Sequence, residues 1–196
     1  MYKVLFLHGF FASGSCIPAL TLKEALKGIA EVVTPDLPIH PIQALDYIKD
    51  LCTKVQPDII VGNSNGSFLA QITANELKIP ALLGNPHFEM TTFLQSRIGA
   101  HQYKSPRENG IQNFTIDEDL IREFDELQKH QFDKCSESFR DKVWGLFGDN
   151  DTLAHYEPLF LEHYSTSYHF PGNHTPTAEE VTSWYVPVIK KMLVTL

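Results

Sequence analysis

The chain has 196 residues, enough to bury a full core, and a formal net charge of −8. That charge argues against nucleic acid or an anionic membrane face as partner, and no apolar run approaches the ~20 residues that a membrane-crossing helix needs. The three cysteines, Cys16, Cys52 and Cys135, are far apart and form no Cys-x-x-Cys pair. Met1-Tyr2-Lys3 leads straight into an apolar run without a signal-peptide pattern, so free thiols and a cytoplasmic protein are expected.

In chain order, Val4 to Leu7 is a continuous apolar run, the pattern of a strand buried on both faces, and it ends in His8-Gly9-Phe10-Phe11-Ala12-Ser13-Gly14. A helix follows with Pro18 in its first turn and Leu20, Leu22, Ala25, Leu26 and Ile29 at apolar positions. Glu31 to Thr34 reads as a second strand stopped by Pro35. Pro41 opens a helix in which Ile42, Leu45, Ile48, Cys52 and Val55 recur at helical spacing, and Pro57 closes it. A third strand, Ile59 to Val61, runs into Gly62-Asn63-Ser64-Asn65-Gly66, and a helix-compatible run, Ser67 to Leu77, follows at once. The fourth strand, Ala81 to Leu83, ends in Gly84-Asn85-Pro86-His87.

Strand and helix thus alternate four times, the signature of a parallel sheet covered on both faces. The alternation breaks from about Phe88 to Asp141. Gly99 to Asn113 is polar, and Thr115-Ile116-Asp117-Glu118 reads as a capping box before an amphipathic helix carrying Leu120, Ile121, Phe124 and Leu127. Residues 88–141 are expected to be a helical insertion over the strand ends, a small lid or a fixed cover, within a single domain. A fifth strand, Lys142 to Phe147, ends in Gly148-Asp149-Asn150-Asp151, and a sixth, Ser167 to Phe170, ends in Pro171-Gly172-Asn173-His174. Thr177 and Glu180 are spaced as a capping box for the last helix, in which Pro187 predicts a kink. The fold class is α/β: a three-layer α/β/α sandwich on a mostly parallel six-stranded sheet.

Gly62-Asn63-Ser64-Asn65-Gly66 has the Gly-x-Ser-x-Gly form of a nucleophile elbow. A serine on so tight a strand-to-helix turn takes a strained backbone, and glycine two residues either side removes the clashes. The alternative is a serine that merely caps the helix. In a parallel sheet every strand delivers its C-terminal end to one edge, so Ser64, Asp151 and His174 are predicted to converge there, in the chain order serine, acid, histidine. Ser64 needs a base, His174 is placed to supply it, and Asp151 holds and stabilises the imidazole. Asp149 is a rival acid. The oxyanion donors are expected to be the backbone N–H groups of Phe10 and Asn65, with Gly9 letting the first approach closely. Phe10, Phe11 and Phe88 are candidate walls of an apolar acyl pocket, and His87 lines it or serves structurally. The remaining histidines lack metal-ligand spacing, and no Gly-x-Gly-x-x-Gly or P-loop pattern occurs, so neither a metal nor a nucleotide cofactor is expected.

Taken together, Leu7-His8-Gly9-Phe10, Pro35-Asp36-Leu37-Pro38, Gly62-Asn63-Ser64-Asn65-Gly66, Gly84-Asn85-Pro86, Gly148-Asp149-Asn150-Asp151 and Gly172-Asn173-His174 resemble, in order and over nearly the whole chain, the small bacterial YqiA-like esterases of the α/β-hydrolase superfamily. The resemblance implies a minimal α/β-hydrolase fold that hydrolyses a small-molecule ester or thioester, with Ser64, Asp151 and His174 as the triad. Asn65 stands where these families commonly carry leucine or glutamine, which leaves its backbone N–H intact. Residues 88–141 show little similarity and leave the substrate open. The scaffold also hosts C–C hydrolysis, lyase chemistry and non-catalytic binding.

Overall fold

A computed structural model describes residues 1–195. The strands are β1 (Tyr2–Leu7), β2 (Ala30–Val33), β3 (Ile59–Asn63), β4 (Ala81–Gly84), β5 (Gly99–Gln102), β6 (Asn113–Ile116), β7 (Val143–Gly148) and β8 (Thr166–Phe170). The α-helices are α1 (Ile17–Ala25), α2 (Pro41–Val55), α3 (Asn65–Leu77), α4 (Met90–Gln95), α5 (Glu118–His130), α6 (Glu157–His163), α7 (Ala178–Glu180) and α8 (Val186–Leu193). Six strands form one sheet in the order β2-β1-β3-β4-β7-β8, every neighbouring pair parallel. The order reverses between β1 and β3, the kind of point at which parallel sheets bind ligands at their C-terminal ends.

The continuous apolar runs are explained by burial on both faces. Along β1, Leu5 and Leu7 enter one core cluster and Val4 and Phe6 the other; along β4, Ala81 and Leu83 oppose Leu82 in the same way. Successive side chains on a strand point to opposite faces, so a strand with helices on both sides has no position left for a polar residue. Apolar side chains of α2, α3 and α5 join the first cluster, and those of α1 and α8 the second.

Three local features differ from what the pattern predicts. The polar stretch inside the insertion pairs with itself: β5 and β6 form an antiparallel hairpin between α4 and α5. Thr115 lies in β6, and α5 is capped by Asp117, whose side chain accepts from the Leu120 N–H at 2.9 Å. The last helical segment carries a π turn, Val181–Tyr185, directly before Pro187, and the Val186 N–H reaches back to the Val181 carbonyl. Pro187 has no N–H to donate, and the wider turn carries the chain into α8 past the missing bond. The capping box at Thr177 and Glu180 forms as its spacing predicts.

Among the glycines, the one with least room for a side chain lies where α3 starts. A Cβ placed on Gly66 would stand 1.9 Å from the Leu7 carbonyl oxygen, and one on Gly62 would stand 2.5 Å from the Ser67 backbone. Both obstacles are main chain and cannot swing away. Gly66→Ala is therefore expected to lower stability by about 3 kcal/mol or more through overpacking, read as a reduced urea midpoint; a midpoint equal to that of the native chain would show that β1 and α3 can separate without loss.

Candidate active site

Ser64 is the hinge between β3 and α3, with φ 56° and ψ −120°. A positive φ at a residue with a side chain is costly and persists only where the surroundings enforce it. Ser64 stands at the cap position of α3 but makes no side-chain capping bond. Its Oγ lies 2.7 Å from His174 Nε2. His174 Nδ1 lies 2.8 Å from Asp151 Oδ2. A carboxylate only accepts, so Nδ1 carries the proton, Nε2 is the acceptor, and the Ser64 hydroxyl donates to it.

Asp151 is 3% exposed. Its Oδ1 accepts from the Leu153 and Ala154 N–H groups at 2.7 and 3.1 Å, leaving Oδ2 to His174. Burial by itself would raise the carboxyl pKa. The hydrogen bond and charge of His174, with the two backbone donors, outweigh burial and hold it below the ordinary value. Asp149, the rival acid, is exposed and pairs with His169 Nδ1 at 2.9 Å, while Glu157 takes His169 Nε2. It makes no hydrogen bond to His174.

The two expected oxyanion donors lie in the loop after β1 and at the first position of α3. The N–H groups of Phe10 and Asn65 find no acceptor among the described residues. Gly9 accepts through its carbonyl from His8 Nδ1–H at 2.8 Å and from the Ala12 N–H at 3.0 Å. The peptide is trans, so fixing the Gly9 carbonyl on one side turns the Phe10 N–H to the other. His8 Nε2 in turn accepts from the Leu37 N–H at 3.0 Å. With both ring nitrogens committed and the ring buried, its pKa falls to about 4, desolvation being the main cause. A Cβ on Gly9 would make only ordinary contact, 3.6 Å from Ser64 Cβ, so close approach of that backbone does not by itself demand glycine.

The hairpin braces this loop. Lys104 N–H donates to the Phe11 carbonyl at 2.7 Å, and Ser13 Oγ bonds Ser105 Oγ at 2.8 Å and the Pro106 carbonyl at 2.7 Å. Asp36 accepts from the N–H of Gly14 and of Glu108, both at 2.8 Å, and so joins loop, hairpin and the segment after β2.

The aromatic residues are distributed differently from the expected pocket. Phe88 has no exposed surface and packs on Phe132 and Tyr156, and the Phe10 side chain is core against Phe114 and Phe124. Neither is a free pocket wall; the strand ends that carry them are covered by the insertion and α6. Phe11 is half-buried, edge-on to Phe93. His87 lies beside the relay, its ring centroid 6.3 Å from that of His174, enclosed by Phe93 at 4.8 Å and Tyr156 at 5.2 Å. It is 3% exposed and its Nδ1 is buried without a partner. Desolvation first, then the repulsion that a charged His87 would meet from a protonated His174, lower its pKa to about 4. Phe93 and Tyr156 lie in segments without a motif, and only the packing brings them to His87.

Three further side chains at the site carry no catalytic motif in the sequence. Tyr185 reaches from the π turn to donate to Asn63 Oδ1 at 3.0 Å, inside the elbow. Ser67 Oγ donates to the Gly84 carbonyl at 2.9 Å, which also receives the Ser64 N–H at 3.0 Å. Asn85 bridges two loops by hydrogen bonds to Gly148, Asn173 and His174. The sequence signals for Asn85 are its place in the Gly84-Asn85-Pro86 stretch and its position, a polar residue directly after a buried strand at the edge where ligands bind.

The parallel sheet, the reversal of strand order beside an elbow and the groups at the strand ends define an α/β-hydrolase fold. Residues 3–169 match the family described as an uncharacterised protein family, UPF0227, and the chain belongs to it. No curated protein sequence matches significantly. Among solved structures, the chain is similar to Est1E from Butyrivibrio proteoclasticus, with a TM-score of 0.72 and 15% identity over 98% of this chain and 88% of that one. It is also similar to alpha/beta hydrolase domain-containing protein 10 from mouse, with a TM-score of 0.70 and 13% identity over 98% of this chain and 90% of that one. The esterase domain of a Rhodothermus marinus protein follows, with a TM-score of 0.66 and 14% identity over 93% and 82% of the two chains. No described helix is long and apolar enough to cross a membrane.

The two buried neutral histidines make a pH prediction. In the unfolded chain each titrates near the ordinary value of 6.5, and in the folded protein near 4. Below about pH 6.5 the unfolded state therefore binds protons that the folded state refuses, and stability falls with pH across that window, levelling off below about 4. The loss is on the order of 3 kcal/mol per histidine. Urea titrations between pH 7.5 and 4.5 should show this fall, and His87→Phe should remove about one proton from the slope. An unchanged slope in that variant would mean that His87 is charged in the folded protein.

Proposed function

We propose that this chain is a serine hydrolase that cleaves carboxylic esters or thioesters of a small or acyl-chain substrate through an acyl-enzyme on Ser64. The observation that carries the reading is the unbroken relay from a buried carboxylate through an imidazole to a serine hydroxyl, at 2.8 and 2.7 Å. His174 takes the Ser64 proton as Oγ attacks the substrate carbonyl. Asp151, kept ionised, stabilises the imidazolium and holds its tautomer. The Phe10 and Asn65 N–H groups, with no competing acceptor among the described residues, receive the oxyanion. The proton then passes from His174 to the departing alcohol or thiol, and water enters by the same steps in reverse roles.

His87 is compatible with this cycle because it stays neutral: a second charge beside His174 would oppose the imidazolium. Phe11, with Phe93, supplies apolar surface for the acyl group. The insertion is read as a fixed wall, supported by the hydrogen bonds that tie residues 104–108 to the loop after β1. Similarity in fold to an esterase domain supports hydrolysis as the reaction class.

A panel of p-nitrophenyl esters and acyl thioesters of graded chain length tests the reading. Ser64→Ala should lower kcat by at least about 10⁴-fold, and Asp151→Asn by about 10⁴-fold. Ester turnover that survives Ser64→Ala, or a folded wild-type protein that takes no fluorophosphonate label, would remove the acyl-enzyme.

A further inference from the structure

We propose that Asn85 is a positioning residue: its amide locks the loop carrying Asp151 to the loop carrying His174, so that acid and base meet at a fixed separation. The proposal rests on the serine-hydrolase reading above and extends it to a residue that touches none of the reacting atoms.

Asn85 follows β4 directly, is 1% exposed and holds φ at 41°. Its Oδ1 accepts from the Gly148 N–H at 2.7 Å. Gly148 ends β7 and opens the turn to the acid, which closes through the Asp151 N–H on the Gly148 carbonyl at 3.0 Å. On its other side, Asn85 Nδ2 donates to the carbonyls of Asn173 and His174, at 2.9 and 3.0 Å. The Asn85 N–H is fixed on the Leu146 carbonyl at 2.9 Å, which ties the bridge to the sheet. Since Gly84 also receives the Ser64 N–H, two consecutive residues at one strand end touch the backbone of all three loops.

The pattern of partners selects the amide. One loop presents a donor and the other presents two acceptors, so the bridge needs an acceptor and two donors on one short planar group. A carboxylate would face two carbonyl oxygens without a proton to offer, and an aliphatic side chain would make none of these three partly buried hydrogen bonds. The left-handed backbone adds a second requirement that asparagine meets more readily than most residues. The start of that loop is also joined to the acid's turn, by the Asn150 N–H on the Gly172 carbonyl at 2.9 Å, but Asn173 and Thr175 on either side of the base are exposed, and the carbonyls of Asn173 and His174 are the ones that Asn85 holds. A shift of that loop by a fraction of an ångström would break the short contact between His174 and Ser64.

The test uses the full chain and a fluorophosphonate, with Ser64→Ala as the unlabelled control. Asn85→Gly removes all three side-chain bonds and tolerates the positive φ; Asn85→Asp keeps the shape and the acceptor but loses both donors. For whichever variants fold by circular dichroism, the labelling rate constant and kcat should fall on the order of 100-fold. The labelled endpoint should stay complete and KM for a short ester should change less than about twofold. A purely structural role would reduce the labelled endpoint and leave the rate constant per site unchanged, and that result would overturn the proposal. So would wild-type rates in both variants, or failure of both to fold. An unlabelled wild type would instead remove the serine-hydrolase reading, and the proposal with it.

Discussion

The architecture of the site depends on two backbones being allowed to touch. Helix α3 begins against the C-terminal end of β1, and the only atom that can occupy the gap at position 66 is a hydrogen, because Leu7 O would lie 1.9 Å from any Cβ. That approach fixes the helix start next to the loop that follows β1. Ser64, two residues before that contact, holds its positive φ at the same turn. The same approach sets the first turn of α3, with the Asn65 N–H, beside the loop that carries Phe10. If α3 stood further from β1, each of these relations would loosen together.

Around that contact the molecule divides its polar groups by task. The buried histidine at position 8 has both ring nitrogens bonded and stays neutral, which suits a fixed support. His174, 14% exposed at the side chain, has one nitrogen on a carboxylate and the other on a hydroxyl, which suits proton movement. His87 has a buried nitrogen with no partner, and its cost is offset only by the aromatic packing around it. Burial alone does not separate these three imidazoles; what each nitrogen faces does.

The loops are the weaker part of such a design, since they carry Asp151 and His174 but bury little apolar surface. Here they are held from two directions. The hairpin within the insertion holds the loop after β1 through backbone and hydroxyl contacts. The end of β4 holds the loops after β7 and β8 through one amide. Rigid strands thus transmit their positions to the site by hydrogen bonds between neighbouring strand ends, which the parallel arrangement brings to one edge.

The sequence by itself determined the order and class of the sheet elements, because a strand buried on both faces must be continuously apolar and its ends must be marked by glycine or proline. It likewise determined the elbow, whose glycines are required within five residues, and the spacing of Asp151 and His174 after their strands. It did not reveal the hairpin at β5 and β6: β5 alternates half-buried and exposed residues and β6 exposed and buried ones, and strands of four residues around a polar stretch read as loop. Nor did it reveal that Phe88 is core, that Asp149 belongs to His169, or that Asn85 and Tyr185 reach the site. Those facts are pairings between residues 20 to 122 positions apart. Local pattern records what a residue needs from its immediate neighbours; which distant partner supplies the rest is decided only when the sheet places the strand ends side by side.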